Sequence, residues 1–126
     1  MSWQAYVDTN LVGSGKVTRA AILGQKGGVW ASSPGFTISP EEEKAIIKGY
    51  TDNDSIRANG VRLGGQKFFT LSVEGRTIQA KKGADGVVIV QTKQAILVAV
   101  YESPLQAPET TPIVEALADY MISVNF

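Results

Sequence analysis

The sequence predicts an α+β fold: a single central antiparallel sheet of about six or seven strands with helices packed on its faces. Three observations carry this. From Gly60 to Tyr101 the apolar residues recur with a period of two, in strand-length runs separated by turn residues. Helical spacing and helix-start signals fall before and after that region, and such segregation, rather than strict alternation, indicates α+β. The chain has 126 residues and is 44% hydrophobic, the size of one domain, residues 1–126, with a core that needs neither metal nor disulfide.

The elements follow in order. Ser2 is a suitable N-cap, and no breaker intervenes from Trp3 until Gly13-Ser14-Gly15. A short helix ended by glycine is expected, with Trp3, Tyr6 and Asn10 on one face. Residues 17–23 and 28–32 are short and β-rich, and Gln25-Lys26-Gly27 between them reads as a hairpin turn, with Trp30 on the second strand. Ser39-Pro40-Glu41-Glu42 is a capping box with proline at the first helical position, and Ile46, Ile47 and Tyr50 follow at helical spacing. Residues 61–63, 67–73, 76–82, 86–91 and 94–101 read as the strands of a meander, divided by Gly64-Gly65, Glu74-Gly75, Gly83 to Gly86 and Thr92-Lys93. Thr111-Pro112 opens a last helix whose apolar face is Ile113, Val114, Leu117, Ala118, Met121 and Val124.

Composition excludes most enzyme chemistry. With no cysteine and no histidine there is no thiol or imidazole nucleophile, no histidine base and no thiolate or imidazole zinc site. A non-enzymatic protein without cofactor or metal is expected. Twelve Lys and Arg balance twelve Asp and Glu, so no global field favours nucleic acid. The charge is uneven, however. Residues 57–93 carry seven basic side chains against Glu74 and Asp85, whereas residues 94–126 carry four acids and no base. A two-sided molecule results if these segments lie apart. The basic stretch is either solvated surface or a dock for an acidic partner or phosphoinositide headgroups. The opening residues are neither a basic leader nor an apolar run, and no window reaches the length of a membrane span, so a cytoplasmic protein is expected.

Other motifs have ordinary readings. Gly13-Ser14-Gly15 closes a helix instead of opening one, so it is a C-cap and no phosphate loop. Glu41-Glu42-Glu43 reads as a solvated first turn that suits the helix dipole. Asn53-Asp54-Ser55 fits the glycosylation sequon but lacks a route to the modifying machinery. Lys81-Lys82 and Thr92-Lys93 are solubilising turn and edge residues or phosphate contacts. The aromatic residues are placed less ordinarily: Trp3, Tyr6, Tyr120 and Phe126 lie close to the two ends. If the terminal helices pack side by side, their rings make an open surface suited to a polyproline II ligand; otherwise they are core.

The opening Met1-Ser2-Trp3-Gln4-Ala5-Tyr6-Val7-Asp8, the run Val29-Trp30-Ala31-Ser32, Gly64-Gly65-Gln66-Lys67, Arg76-Thr77-Ile78 and Val114-Glu115-Ala116-Leu117-Ala118-Asp119-Tyr120 resemble the profilin family of actin-monomer-binding proteins, its short fungal and amoeboid members most. The resemblance implies that the N- and C-terminal helices lie together on one face of the sheet. It implies a proline-rich-segment site at Trp3, Tyr6, Trp30, Tyr120 and Phe126, the first three stacking prolines and the last two closing the cradle. It also implies actin contacts at Lys67, Ser72, Arg76, Lys81, Lys82, Glu115 and Ala116, and phosphoinositide contacts at Arg76, Lys81, Lys82 and Lys93.

The chain departs from the family pattern in places. Ser72 stands where an arginine is usual, Gln79-Ala80 replaces Tyr-Gly, Ala116 stands where many relatives carry Lys or Glu, and Gln106-Ala107-Pro108-Glu109 departs from Gln-Pro-Gly. Weakened actin binding is expected from these changes. The function implied is a monomeric, cytoplasmic and cytoskeletal adaptor that joins monomeric actin to proline-rich proteins such as formin-like elongation factors and so controls filament assembly. The alternative is a proline-rich-peptide or phosphoinositide module on the same fold with weak or lost actin binding.

Overall fold

The structure is a computed structural model and describes residues 2–126. Seven strands, β1 (Arg19–Gly24), β2 (Val29–Ser32), β3 (Val61–Leu63), β4 (Gln66–Glu74), β5 (Thr77–Lys82), β6 (Asp85–Gln91) and β7 (Ala95–Tyr101), form one sheet in the order β2-β1-β7-β6-β5-β4-β3. Every pairing is antiparallel. The meander runs from β3 to β7, which then returns to pair with β1.

Strand β7 is buried along its whole length because helices cover both faces of the sheet. Its alternate residues serve two cores. Ile96, Val98 and Val100 pack with Ile46, Ile56, Phe68, Ile78 and Ile89, beneath α2 (Pro40–Gly49) and α3 (Asn53–Asn59). Ala95, Leu97, Ala99 and Tyr101 pack with Val7, Leu11, Val114, Leu117 and Met121, beneath α1 and α4 (Ala107–Ser123). The helical stretch α1 is composite. It begins as an α-helix (Trp3–Ala5), widens into a π-helix (Tyr6–Leu11) with the Val12 N–H on the Val7 carbonyl, and closes as a 3₁₀ turn (Val12–Ser14) at Gly15, φ 78°.

Several expectations change. Helix α3 has no counterpart in the sequence reading, because Ile56 alone of its residues is buried and a single apolar residue sets no period; Asp52 caps it by accepting the Ser55 N–H at 3.2 Å. Helix α4 begins at Ala107, a turn before Thr111-Pro112. Pro108 occupies the first turn, where no N–H is needed, and Pro112 lies inside the helix. The buried Thr110 hydroxyl donates to the Lys16 carbonyl at 2.7 Å and docks this extra turn against the end of α1.

The acids at the start of α2 are more than a solvated turn. The Glu42 carboxylate accepts N–H groups from Ser39 (2.9 Å), Gly64 (3.0 Å) and Gly65 (2.9 Å), and so holds the β3–β4 turn. Burial works against the charge, but these backbone donors outweigh it and hold the carboxyl below its ordinary range. Glu43, 8% exposed, accepts the Gly28 N–H at 2.7 Å and holds the β1–β2 hairpin. The charge segments also meet instead of lying apart. Arg76 of the basic stretch bonds Glu115 (3.0 Å) and Asp119 (2.8 Å) of α4, so the two-sided field is partly cancelled inside the molecule.

Candidate functional site

The side chains of Trp3 and Tyr6 rise from the first turns of α1, with ring centroids 5.7 Å apart. Trp30 of β2 lies 4.9 Å from Trp3, Phe126 meets Trp3 edge-on at 4.9 Å and 80°, and Tyr120 of α4 lies 6.1 Å from Tyr6. All five rings therefore form one connected track with the offset and edge-to-face geometries that aromatic pairs prefer. Trp3, Tyr6 and Trp30 pack partly against the core under α1 and α4. Their outer edges face solvent: Tyr120 is 49% and Phe126 36% exposed. Core rings would be covered, whereas this track presents faces and hydroxyls to the outside.

Local chemistry fixes each ring. The Ser2 hydroxyl caps α1 by accepting the Ala5 N–H at 3.2 Å. The Gln4 amide donates to the Ser32 carbonyl at 2.9 Å and ties α1 to the strand bearing Trp30. Trp30 packs against Gly24, where a Cβ would stand 2.7 Å from the indole Nε1, so only glycine leaves the ring its place. At the other end Asn125 takes the left-handed conformation, φ 73°, that closes a Schellman motif. Its N–H reaches the Ile122 carbonyl at 3.0 Å, and the Phe126 N–H reaches the Met121 carbonyl at 2.7 Å. The Phe126 carbonyl then accepts the Thr92 hydroxyl and the Gln94 N–H, each at 2.6 Å. Chain ends are usually loose, and this one is held by the β6–β7 turn. The sequence reading missed the anchor, for which Asn125 directly after the last helical turn is the available sign.

The track continues into an apolar groove of about 430 Å³ between α1 and α4, lined by Tyr6, Asn10, Ile113, Ala116, Leu117 and Tyr120. Ala116 thus lies beside the aromatic rings. The other residues named from the resemblance divide. Lys67, Ser72, Lys81 and Lys82 share strands β4 and β5, with Ser72 opposite Gln79 and Phe69 opposite Lys81. Arg76 and Glu115 are bonded to each other, and the Thr77 hydroxyl adds a 2.9 Å bond to Glu115. Lys81 and Lys82 stand at one end of β5 and Arg76 at the other, while Lys93 occupies the β6–β7 turn next to Phe126. The four basic residues expected at a phosphoinositide site therefore do not form one cluster.

Two surface residues went unnoticed in the sequence. Phe69 and Leu71 of β4 are 65% and 61% exposed. Two residues apart on β4, they alternate outward with Phe68 and Thr70 turned the other way, a bulge between Thr70 and Ser72 then resets the register so that Val73 is buried, and the Lys67 ammonium stands 5.3 Å from the Phe69 ring centroid. A two-residue period places Phe69 and Leu71 on one face of β4, which was the available sign of an apolar patch there. Among the described residues, no three acids are grouped to hold a metal, and no helix is long and apolar enough to cross a membrane.

The comparisons with known proteins agree in kind. The family described as Profilin matches residues 1–126. The chain is 46% identical over 126 residues to Profilin-2 of Acanthamoeba castellanii, covering all of both. The solved structure of Acanthamoeba castellanii profilin IB superposes with a TM-score of 0.96 at 47% identity, over 99% of this chain and 100% of that one. Mouse profilin IIa in complex with a double repeat from the FH1 domain of mDia1 shares the fold, with a TM-score of 0.83 at 23% identity over 100% of both chains.

Proposed function

Because the chain belongs to the profilin family, we propose that it is a non-enzymatic, actin-monomer-binding adaptor that also takes proline-rich segments of actin regulators and so controls filament assembly. The observation that carries the proline-rich part is the connected track of Trp3, Tyr6, Trp30, Tyr120 and Phe126 on the paired terminal helices. A polyproline II segment is pre-ordered, and its pyrrolidine rings pack on aromatic faces while indole and phenol groups bond its carbonyls. Because the rings are already assembled, little ordering opposes binding.

For actin, the surface we assign is that of β4 and β5. Lys67, Lys81 and Lys82 supply positive charge around the exposed Phe69 and Leu71, the apolar centre and charged rim of a protein interface. Two surfaces allow one molecule to hold actin and a proline-rich segment at once, and such tethering raises the effective concentration of actin near the elongation factor. Phosphoinositide headgroups are assigned to Lys81 and Lys82. The expected location is the cytoplasm and cytoskeleton, as one domain acting as a monomer.

Calorimetry against monomeric actin, alone and with a saturating proline decamer, tests this reading. One-to-one binding of each ligand, both retained in the mixture, is expected. Absence of actin binding where an Acanthamoeba profilin binds would favour the second reading, a proline-rich-peptide module with lost actin binding. The internal pairing of Arg76 with Glu115, which occupies two of the residues named for actin, supports that rival.

A further inference from the structure

At Trp30 the aromatic track adjoins a pocket of about 460 Å³ whose walls include Gln25, Lys26, Trp30, Lys93 and Gln94, with no carboxylate side chain among the lining residues. Two turns that are distant in sequence form it, and they are bonded to each other. The Gln25 N–H donates to the Gln94 carbonyl at 3.0 Å, the Gln25 amide donates to the Thr92 carbonyl, and the Gln94 amide donates to the Asn125 carbonyl at 2.7 Å. The β1–β2 and β6–β7 turns are thereby held as one unit, together with the chain end that carries Phe126. Lys26 and Lys93 stand on it exposed, and neither forms an ion pair among the described residues. Trp30 is a wall shared by the pocket and the aromatic track, with its indole Nε1 directly above Gly24 of the pocket floor.

We propose that this pocket reads an anionic residue, a carboxylate or a phosphorylated hydroxyl, that flanks the proline run of a ligand lying on the aromatic track. The inference rests on the proline-rich reading above and adds a specificity to it. Stacking on five rings is tolerant: any sufficiently long proline segment satisfies it. Two ammonium groups beside Trp30 at one end of the track, on turns that the Gln25 and Gln94 amides hold together, supply what stacking lacks, a charge that distinguishes ligands and fixes which end of the segment lies next to Trp30. Because Trp30 belongs to both the pocket and the track, one peptide can occupy both, which favours a peptide anion over a membrane headgroup.

The test uses the whole protein and synthetic decaprolines with a Gly-Ser flank, with an Asp-Asp flank at either end, or with a phosphoserine flank at either end, titrated by tryptophan fluorescence. An acidic flank at one end is expected to tighten binding about threefold at low salt, the scale of an exposed ion pair. Phosphoserine, which gathers a charge no larger than that of the two aspartates onto one group with three acceptor oxygens, exceeds them if the pocket is tuned to phosphate, and the gain shrinks at high salt. In the double variant K26Q/K93Q, checked for folding by circular dichroism, the ratio of acidic to neutral affinity falls to unity. Equal affinity of acidic and neutral peptides at both ends overturns the inference and leaves the proline-rich reading intact. Failure of the neutral decaproline to bind overturns that reading as well. If K26Q/K93Q loses binding to phosphoinositide vesicles while the peptide ratio is unmoved, the pocket belongs to a lipid and the proposal is wrong.

Discussion

In the aromatic cradle every ring has a ring neighbour within 6.1 Å, and backbone bonds at Ser2 before α1 and at Asn125 and Phe126 after α4 hold the segments that carry them. On the β4–β5 surface the charged groups are arranged otherwise. Lys67 rests near Phe69, Lys82 faces Asp85 across the strands, and Arg76 has turned to Glu115 and Asp119 of the neighbouring helix. The contrast follows from the forces involved. Aromatic rings gain by touching one another whether or not a ligand is present. Like charges repel, so a basic surface stays dispersed, or finds internal partners, until an acidic partner arrives. One surface is assembled in the free protein and the other is completed by its ligand.

Substitutions can break that contrast. Trp3→Ala removes the ring in contact with three of its neighbours, Tyr6, Trp30 and Phe126. Affinity for a proline decamer is expected to fall about 30-fold or more, the scale of a buried aromatic hot spot, with a much smaller loss in actin affinity by calorimetry. Comparable losses at both sites would mean that the cradle is a structural support and not an independent surface. Arg76→Ala is expected to lower unfolding free energy in urea by about 1 kcal/mol, because the pairs it makes are partly exposed and screened. Unchanged stability with weakened actin binding would make Arg76 a ligand residue after all.

Smaller effects sharpen the comparison. Ser72→Arg, placed on β4 opposite Gln79, two residues from Lys81 on β5, is expected to tighten actin binding about threefold, mainly through the association rate and mainly at low salt. No change would argue against β4–β5 as the actin surface. Glu42→Gln is expected to cost about 1 kcal/mol at neutral pH through weaker bonds to the Gly64-Gly65 turn that leads into β4. The folded protein holds this carboxyl below its ordinary range. Its stabilisation is therefore complete above the unfolded value of about 4.3 and disappears as pH falls through the lower folded value. The stability gap between the two proteins should close on acidification. A gap that persists at low pH would show that the carboxylate charge is not what holds the turn.

Much of this arrangement was legible in the residues. Strand-length apolar runs between turn residues located the five strands of the meander to within a residue or two, and β-rich composition around a hairpin turn located β1 and β2; β6 and β7 are near-continuous apolar runs because helices cover both faces of the sheet. The capping box gave the start of α2 to the residue. The five rings could be named, and the resemblance gave their grouping; pattern alone left them divided between surface and core. What escaped has a common cause. Helix α3, the early start of α4, the bulge at Leu71 and the backbone bonds to Glu42 and Glu43 all depend on partners distant in sequence. A local pattern records what a residue is and where its neighbours in the chain lie, and a carboxylate's partner on another loop leaves no mark there.

The π-helical segment Tyr6–Leu11 has a consequence for how the cradle is kept in phase. In a regular α-helix each residue turns the chain by about 100°, and the wider segment behaves as a helix carrying one residue more than its turn would hold. It therefore sets the rotation of Trp3, Tyr6 and Val7 relative to Leu11, which is fixed in the core. Deleting one exposed residue from the wide segment, such as Thr9, would restore an ordinary helix while leaving every ring in the sequence. Trp3 and Tyr6 would then swing by about that same angle away from Trp30 and Tyr120. The composition of the site would be complete and its alignment lost, so in this chain a spacing in the backbone counts among the determinants of the ligand surface.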